Sequence, residues 1–292
     1  MAAIESRLAS FKLLRHLDRG QARSYNRAAM SRFSSLDRLY GRGTVAVLAR
    51  CHVCVVGVGG VGSWAAEALA RSGIGKLTLI DADEVCLGNV TRQLHALDGT
   101  IGRSKVRVLE ERLRLINPAI EVQAIESFVT PATVPQQLDR GFDYVFDACD
   151  AFRVKVEAVA FCRRRKIPLI VCGSAGGRID PVRVLVRDLN KVAHDMLLGM
   201  VRRALRDEYG FQRNPKRYFG VLAVYSLENV RYPQPDGTVC GSKPAGLEDT
   251  IKLDCATGLG AAMHVTATFA MVAVGKIIER LLLKAAGKGH PP

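Results

Sequence analysis

The sequence predicts an α/β fold: a doubly wound, mostly parallel sheet with a C-terminal α+β extension. Two observations carry that reading. From about residue 50 to 175, short apolar runs alternate with stretches of helical period, as expected where each strand needs a crossover helix before the next parallel strand. The first of those runs also closes on a glycine-rich turn that opens a helix. With 292 residues, 48% of them apolar, the chain can bury a substantial core.

The elements follow in order. Residues 1–30 are polar and basic, and are expected to form a disordered extension. Residues 32–50 make an amphipathic entry segment. A strand at 53–56 leads through the glycine loop into a helix at 64–71, which Gly73 and Gly75 stop. A second strand at 77–80 ends at Asp81-Ala82-Asp83. A helix at 103–116 stops at Asn117-Pro118. Strands at 120–125 and 144–146, a helix at about 151–165 and a strand at 169–171 complete the alternation. After Gly176-Gly177 the pattern changes. Residues 182–186 read as a strand starting a different layer, 190–209 as a basic helix, and 222–226 as a strand within a Pro- and Gly-rich stretch. Residues 256–275 carry no charge, but their glycines, threonines and His264 favour a buried, small-residue helix over a membrane span. That helix continues amphipathically through 276–280. The expected organisation is one domain at 31–285, with a nucleotide-binding part at about 50–175 and a substrate-facing part at about 176–285, and a tail at 286–292.

The charge balance narrows the partners. Forty-two Lys and Arg against 28 Asp and Glu give +14 and a pI near 9.7, which suits a polyanion, with nucleic acid ahead of an anionic membrane. Eight cysteines, several inside apolar runs, read as buried free thiols of a reducing compartment. A cytoplasmic location is expected ahead of mitochondrial targeting through 1–30 or membrane association through 256–275.

Gly57-Val58-Gly59-Gly60-Val61-Gly62 is a G-x-G-x-x-G loop placed between strand and helix. Glycine there permits the tight turn and close backbone approach to a phosphate at the helix amino end. Asp81, at the end of the second strand, suits ribose hydroxyls. This Rossmann-like constellation says nucleotide without separating NAD from ATP. Asn89, Arg92, Lys105 and Asp150 separate them, because nucleotidyl transfer needs fixed cations and a metal to meet the charge on departing phosphates. Taken singly, Arg92 or Lys105 reads as a surface charge and Asp150 as the cap of the helix near Ala151.

The set Gly57-x-Gly59-Gly60-x-Gly62, Asp81-x-Asp83, Asn89-x-x-Arg92-Gln93, Lys105 and Asp150 resembles the ThiF/MoeB/ubiquitin-activating superfamily over about residues 31–285. Within it, Tyr232-Pro233-Gln234-Pro235-Asp236-Gly237-Thr238-Val239-Cys240 and Asp254-Cys255-Ala256-Thr257-Gly258-Leu259-Gly260-Ala261-Ala262 resemble the branch that dehydrates threonylcarbamoyladenosine in tRNA. The resemblance implies that ATP and Mg²⁺ activate the carboxylate of that base, which then cyclises. It assigns Asp81 to the ribose, Asn89, Arg92 and Lys105 to the triphosphate, Asp150 to Mg²⁺, and Arg38 to the phosphates of the neighbouring subunit in a homodimer. A cysteine desulfurase is a further partner implied by the family. Cys255 is the candidate reactive thiol, against a plain packing role. Arg163, Arg164, Arg165 and Lys166, with Arg202, Arg203 and Arg206, are the candidate tRNA contacts, against a reading as solvated helix faces.

Relatives that activate sulfur carriers hold a zinc in two Cys-x-x-Cys pairs. Here the one such spacing, Cys51-x-x-Cys54, lies at the first strand, where i and i+3 point to opposite faces. No structural zinc is therefore expected, which sets the tRNA reading above activation of a ubiquitin-like sulfur carrier. An NAD(P)-dependent oxidoreductase is a further alternative, and a catalytically silent nucleotide- or tRNA-binding module is another, against which the full set Asn89, Arg92, Lys105 and Asp150 argues.

Overall fold

The computed structural model describes residues 32–243 and 259–287. Two short helices, α1 (Ser34–Tyr40) and α2 (Thr44–Leu48), lead into β1 (His52–Val56), α3 (Gly62–Arg71) and β2 (Lys76–Ile80). Then come α4 (Lys105–Ile116), β3 (Glu121–Ile125), α5 (Val134–Leu138), β4 (Tyr144–Asp147), α6 (Phe152–Arg165) and β5 (Leu169–Cys172). The chain continues with β6 (Val184–Asp188), α7 (Met196–Glu208), β7 (Leu222–Ser226), the short pair β8 (Tyr232–Pro233) and β9 (Val239–Cys240), and α8 (Met263–Ala285).

Seven strands form one sheet in the order β3-β2-β1-β4-β5-β7-β6. All neighbours are parallel except β6 and β7. The order reverses between β1 and β4, so the carboxyl ends of these two strands flank the crevice where such sheets bind ligands. The two-residue period of the strands sorts the core into two layers. Val53 and Val55 of β1, Tyr144 and Phe146 of β4 and Ile170 of β5 pack beneath α3, α4 and α8. Cys54, Val56, Val145, Leu169 and Val171 point the other way, to α5, α6 and α7. Cys51 and Cys54 accordingly lie on opposite sides of the sheet, as their spacing predicts.

The structure corrects the chain after Gly177. The strand at 182–186 starts no new layer: as β6 it pairs antiparallel with β7 and closes the edge of the same sheet. The basic helix starts at Met196, because His194 sits at φ 59° and Asp195 caps the helix, accepting from Leu198 N at 2.8 Å. Helix α8 buries one stripe, Val265, Phe269, Ala270, Ala273, Ile277 and Leu281 among others, against α3 and the sheet, and leaves Met263 and Met271 outside. No described helix is long and apolar enough to cross a membrane.

An ion pair lies wholly inside this core. Lys155 of α6 meets Asp147, the last residue of β4, at 2.9 Å, and both side chains are fully buried. Burial disfavours the ammonium, but the Asp147 carboxylate outweighs it and raises the Lys155 pKa. Lys155→Met would strand the carboxylate in the interior, and should cost about 3–5 kcal/mol of unfolding free energy in urea titration.

Candidate active site

Glycine sets the geometry at the end of β1. Gly57 lies at φ 79°, and a Cβ there would come within 3.0 Å of the Cys149 backbone. A Cβ on Gly62 would sit 1.8 Å from the Gly57 carbonyl oxygen. Only bare glycine lets α3 start directly over the strand, aiming its first amides into the crevice. The crevice is a cleft of about 450 Å³, an ordinary size for a small-molecule site.

Asp81 ties the loop to the second strand. One carboxylate oxygen accepts from Val58 N at 2.8 Å and the other from Asp83 N at 2.9 Å. Each retains a lone pair for a ribose hydroxyl. Burial raises the Asp81 pKa, against the opposing charge of Lys105. Lys105 is the first residue of α4 and only 5% exposed, and its Nζ donates to Asp83 Oδ2 at 2.7 Å. It is therefore no surface charge. Arg92 lines the cleft with its stem against Gly60. Its carbonyl accepts from Trp64 Nε1 of α3 at 3.0 Å and from Thr266 Oγ1 of α8 at 3.4 Å, which fixes the residue from two helices. Asp150 also lines the cleft, exposed. It does not cap α6: Ala151 occupies the cap position, without a side-chain cap bond.

The remaining candidates fall elsewhere. Asn89 is 2% exposed and does not line the cleft. Its Oδ1 accepts from Cys86 N at 3.1 Å, and its carbonyl from Arg92 N at 3.0 Å, so it shapes the turn that presents Arg92. Arg38 is exposed on α1, away from this protomer's cleft. Cys255 lies outside the described residues. Among the candidate tRNA contacts, Arg202 donates to Val192 O at 2.5 Å and Arg206 to Asn190 Oδ1 at 2.7 Å, which makes these two part of the fold's own bonding. Arg165 pairs with Asp139 at 2.8 Å, and Arg164 lies over the Phe161 ring. Arg163, Lys166 and Arg203 are exposed.

The structure also adds lining residues that sequence reasoning missed: Ser127 and Phe128 after β3, Gly173 and Ser174 after β5, and Thr266 of α8. The carboxyl-end rule for parallel sheets points to the first two pairs. No local signal points to Thr266, which arrives from the far end of the chain. Cys149 lines the cleft as well, but burial and Asp147 push its pKa well up and leave a poor nucleophile.

Comparison with known proteins agrees with this geometry. Residues 31–285 match the model of the ThiF family. The chain is 49% identical over 258 residues, 88% of its length and 96% of the relative's, to the tRNA threonylcarbamoyladenosine dehydratase of Escherichia coli K12. It superposes on a structure of TcdA (CsdL) with a TM-score of 0.80 at 47% identity, covering 88% of this chain and 96% of that one. The E. coli dehydratase in complex with ATP superposes with a TM-score of 0.78 at 44% identity and the same coverage.

His95, three residues beyond Arg92, is 1% exposed, and neither ring nitrogen has a hydrogen-bond partner. Burial, then the Lys105 ammonium, lowers its pKa from 6.5 to about 4. The unfolded chain takes up this proton from about pH 6.5 downward and the folded chain only near pH 4. Stability linked to His95 is thus intact above that window and falls with pH through it, by roughly 3 kcal/mol in full. Between pH 7 and 4.5 the wild type should lose about 2–3 kcal/mol more than His95→Leu in urea titration. Equal losses would show that the ring titrates normally.

Proposed function

The chain belongs to the ThiF family, and from that premise we propose that it is an ATP-dependent dehydratase that cyclises threonylcarbamoyladenosine in tRNA. One observation carries the proposal. The glycine loop, Asp81, Arg92, Lys105 and Asp150 converge on a single cleft in a chain that matches the E. coli dehydratase over 96% of its length.

The chemistry has two steps. The carboxylate of the modified base attacks the α-phosphorus of ATP, the α–β phosphoanhydride breaks, and pyrophosphate leaves. An atom of the same side chain then attacks the activated carbonyl, closes the ring and expels AMP. The oxygen that the base loses departs on AMP, so the net change is the loss of one water. Ring closure is intramolecular and gains from proximity, so it requires no enzyme nucleophile and no role for Cys255.

The protein's part is positioning and charge. The loop amides and the α3 amino end receive phosphate oxygens. Asp81 holds the ribose while bracing the loop. Arg92 and Lys105 sit where charge builds on the departing pyrophosphate, and Asp83 keeps the Lys105 ammonium aimed into the cleft. The donor set also fits Mg²⁺, which takes one or two carboxylates plus phosphate oxygens rather than an all-protein cage. Asp150 is an exposed carboxylate at the cleft, and the described residues include no cluster of three or more metal-ligating side chains. Mg²⁺ held by Asp150 would offset charge on the triphosphate. We place Arg38 at the phosphates of the second protomer in a homodimer, in keeping with its exposure outside its own cleft.

Incubating the protein with ATP and tRNA bearing threonylcarbamoyladenosine should lower the nucleoside mass by one water. A ubiquitin-like carrier ending in Gly-Gly should yield no pyrophosphate, and NAD should give no thermal protection. Lys105→Ala should reduce kcat by roughly 10²–10³. Unchanged tRNA-dependent pyrophosphate release in that variant would remove Lys105 from the mechanism. Arg38→Ala should lower turnover comparably, and mixing it with Lys105→Ala should restore part of the activity if the two residues serve one site from different protomers.

A further inference from the structure

A larger cavity, of about 870 Å³, lies at the opposite end of the sheet from the nucleotide cleft. Its floor is Tyr144, Leu169 and Leu222, the first residues of β4, β5 and β7. Cations from four parts of the chain surround that floor: Arg163 and Lys166 at the end of α6, Arg187 of edge strand β6, Lys191 beyond it, and Lys276 of α8. The nucleotide chemistry uses none of them.

The groove's two carboxylates offset only part of this charge. Asp188 accepts from the backbone amides of Asn190, Phe219, Gly220 and Val221, at 2.7–3.2 Å. Glu279 is matched to Lys276 at 2.6 Å. Arg163, Lys166 and Arg187 have no carboxylate in ion-pair contact among the described residues. The Arg163 guanidinium is seated against Gly220, where a Cβ would stand 3.1 Å from Nη1. Lys191 lies 4.9 Å from the centre of the Tyr218 ring, which is half exposed beside it.

We propose that this groove binds the phosphodiester backbone of the tRNA, as a second contact remote from the reacting base. The inference rests on the reading of the chain as a tRNA-modifying enzyme. Like charges over a low-dielectric floor focus a positive field. Phosphate contacts position a nucleic acid without reading its sequence, and Tyr218 offers a ring face for an unpaired base. Groove and cleft stand at the two ends of strands four to five residues long, roughly 13–17 Å apart at 3.3 Å per residue. That is the least separation, taken through the sheet, and an RNA arm exceeds it in length.

The test compares the full-length protein with Arg163→Glu/Arg187→Glu and with Arg50→Glu/Arg114→Glu, which makes the same charge change outside the groove. The groove pair should raise the KM for tRNA at least tenfold and lower the slope of log affinity against log salt by about two. Its kcat at saturating tRNA and its affinity for ATP should stay within twofold. Arg163→Gln/Arg187→Gln should shift KM in the same direction by less, and melting with ATP checks that each variant is folded. An unchanged KM and salt slope in the groove pair would overturn the proposal, as would an equal effect in the control pair. If the wild type does not dehydrate tRNA, the functional reading fails. Direct tRNA binding by the same variants, read by fluorescence anisotropy, then judges the groove separately.

Discussion

The nucleotide cleft depends on a backbone contact that no side chain can enter. The Gly62 Cα faces the Gly57 carbonyl so closely that a methyl group would overlap it. This contact holds the amino end of α3 over the carboxyl end of β1. Everything else in the site is arranged around that junction. Asp81 braces the loop from β2, Trp64 of α3 carries the Arg92 carbonyl, and the Cys149 backbone closes against Gly57 from β4. Fixed dipoles and charges assembled in this way need little rearrangement as the reaction proceeds, the condition under which electrostatic stabilisation is most effective.

Much of this was legible in the sequence because its causes are local. Residues such as Val53 and Val55 alternate with Cys54 and Val56 on opposite faces of a strand buried on both sides. The continuous apolar run follows from that. The glycine spacing, Asp81 and Lys105 could be placed for the same reason, each standing at a strand end or a helix start. What the sequence left hidden is long-range. Val184–Asp188 is only partly buried, and nothing within it shows that its partner is β7, some forty residues later. Arg202 and Arg206 look like an exposed basic face until Val192 and Asn190 take their hydrogen bonds.

Charge is met to different degrees at three places in the molecule. In the core, Asp147 and Lys155 form a fully buried pair. At the cleft the pairing loosens: Lys105 is almost fully buried, but its partner Asp83 is largely open to solvent. In the groove, Arg163, Lys166 and Arg187 have no carboxylate partner at all among the described residues. The three places differ in how far the fold has already met the charge, and the groove is the one left most open to a polyanion.

Thr266 holds the Arg92 carbonyl from α8, the helix made after every strand that it covers. During synthesis the sheet, the glycine loop, both cleft cations and Trp64 precede Thr266, the second donor to the Arg92 carbonyl, and the helix that seals one apolar face. The apolar face beneath α8 therefore stays open in a nascent chain until that helix clears the ribosome, and only then does the Arg92 carbonyl gain its second donor.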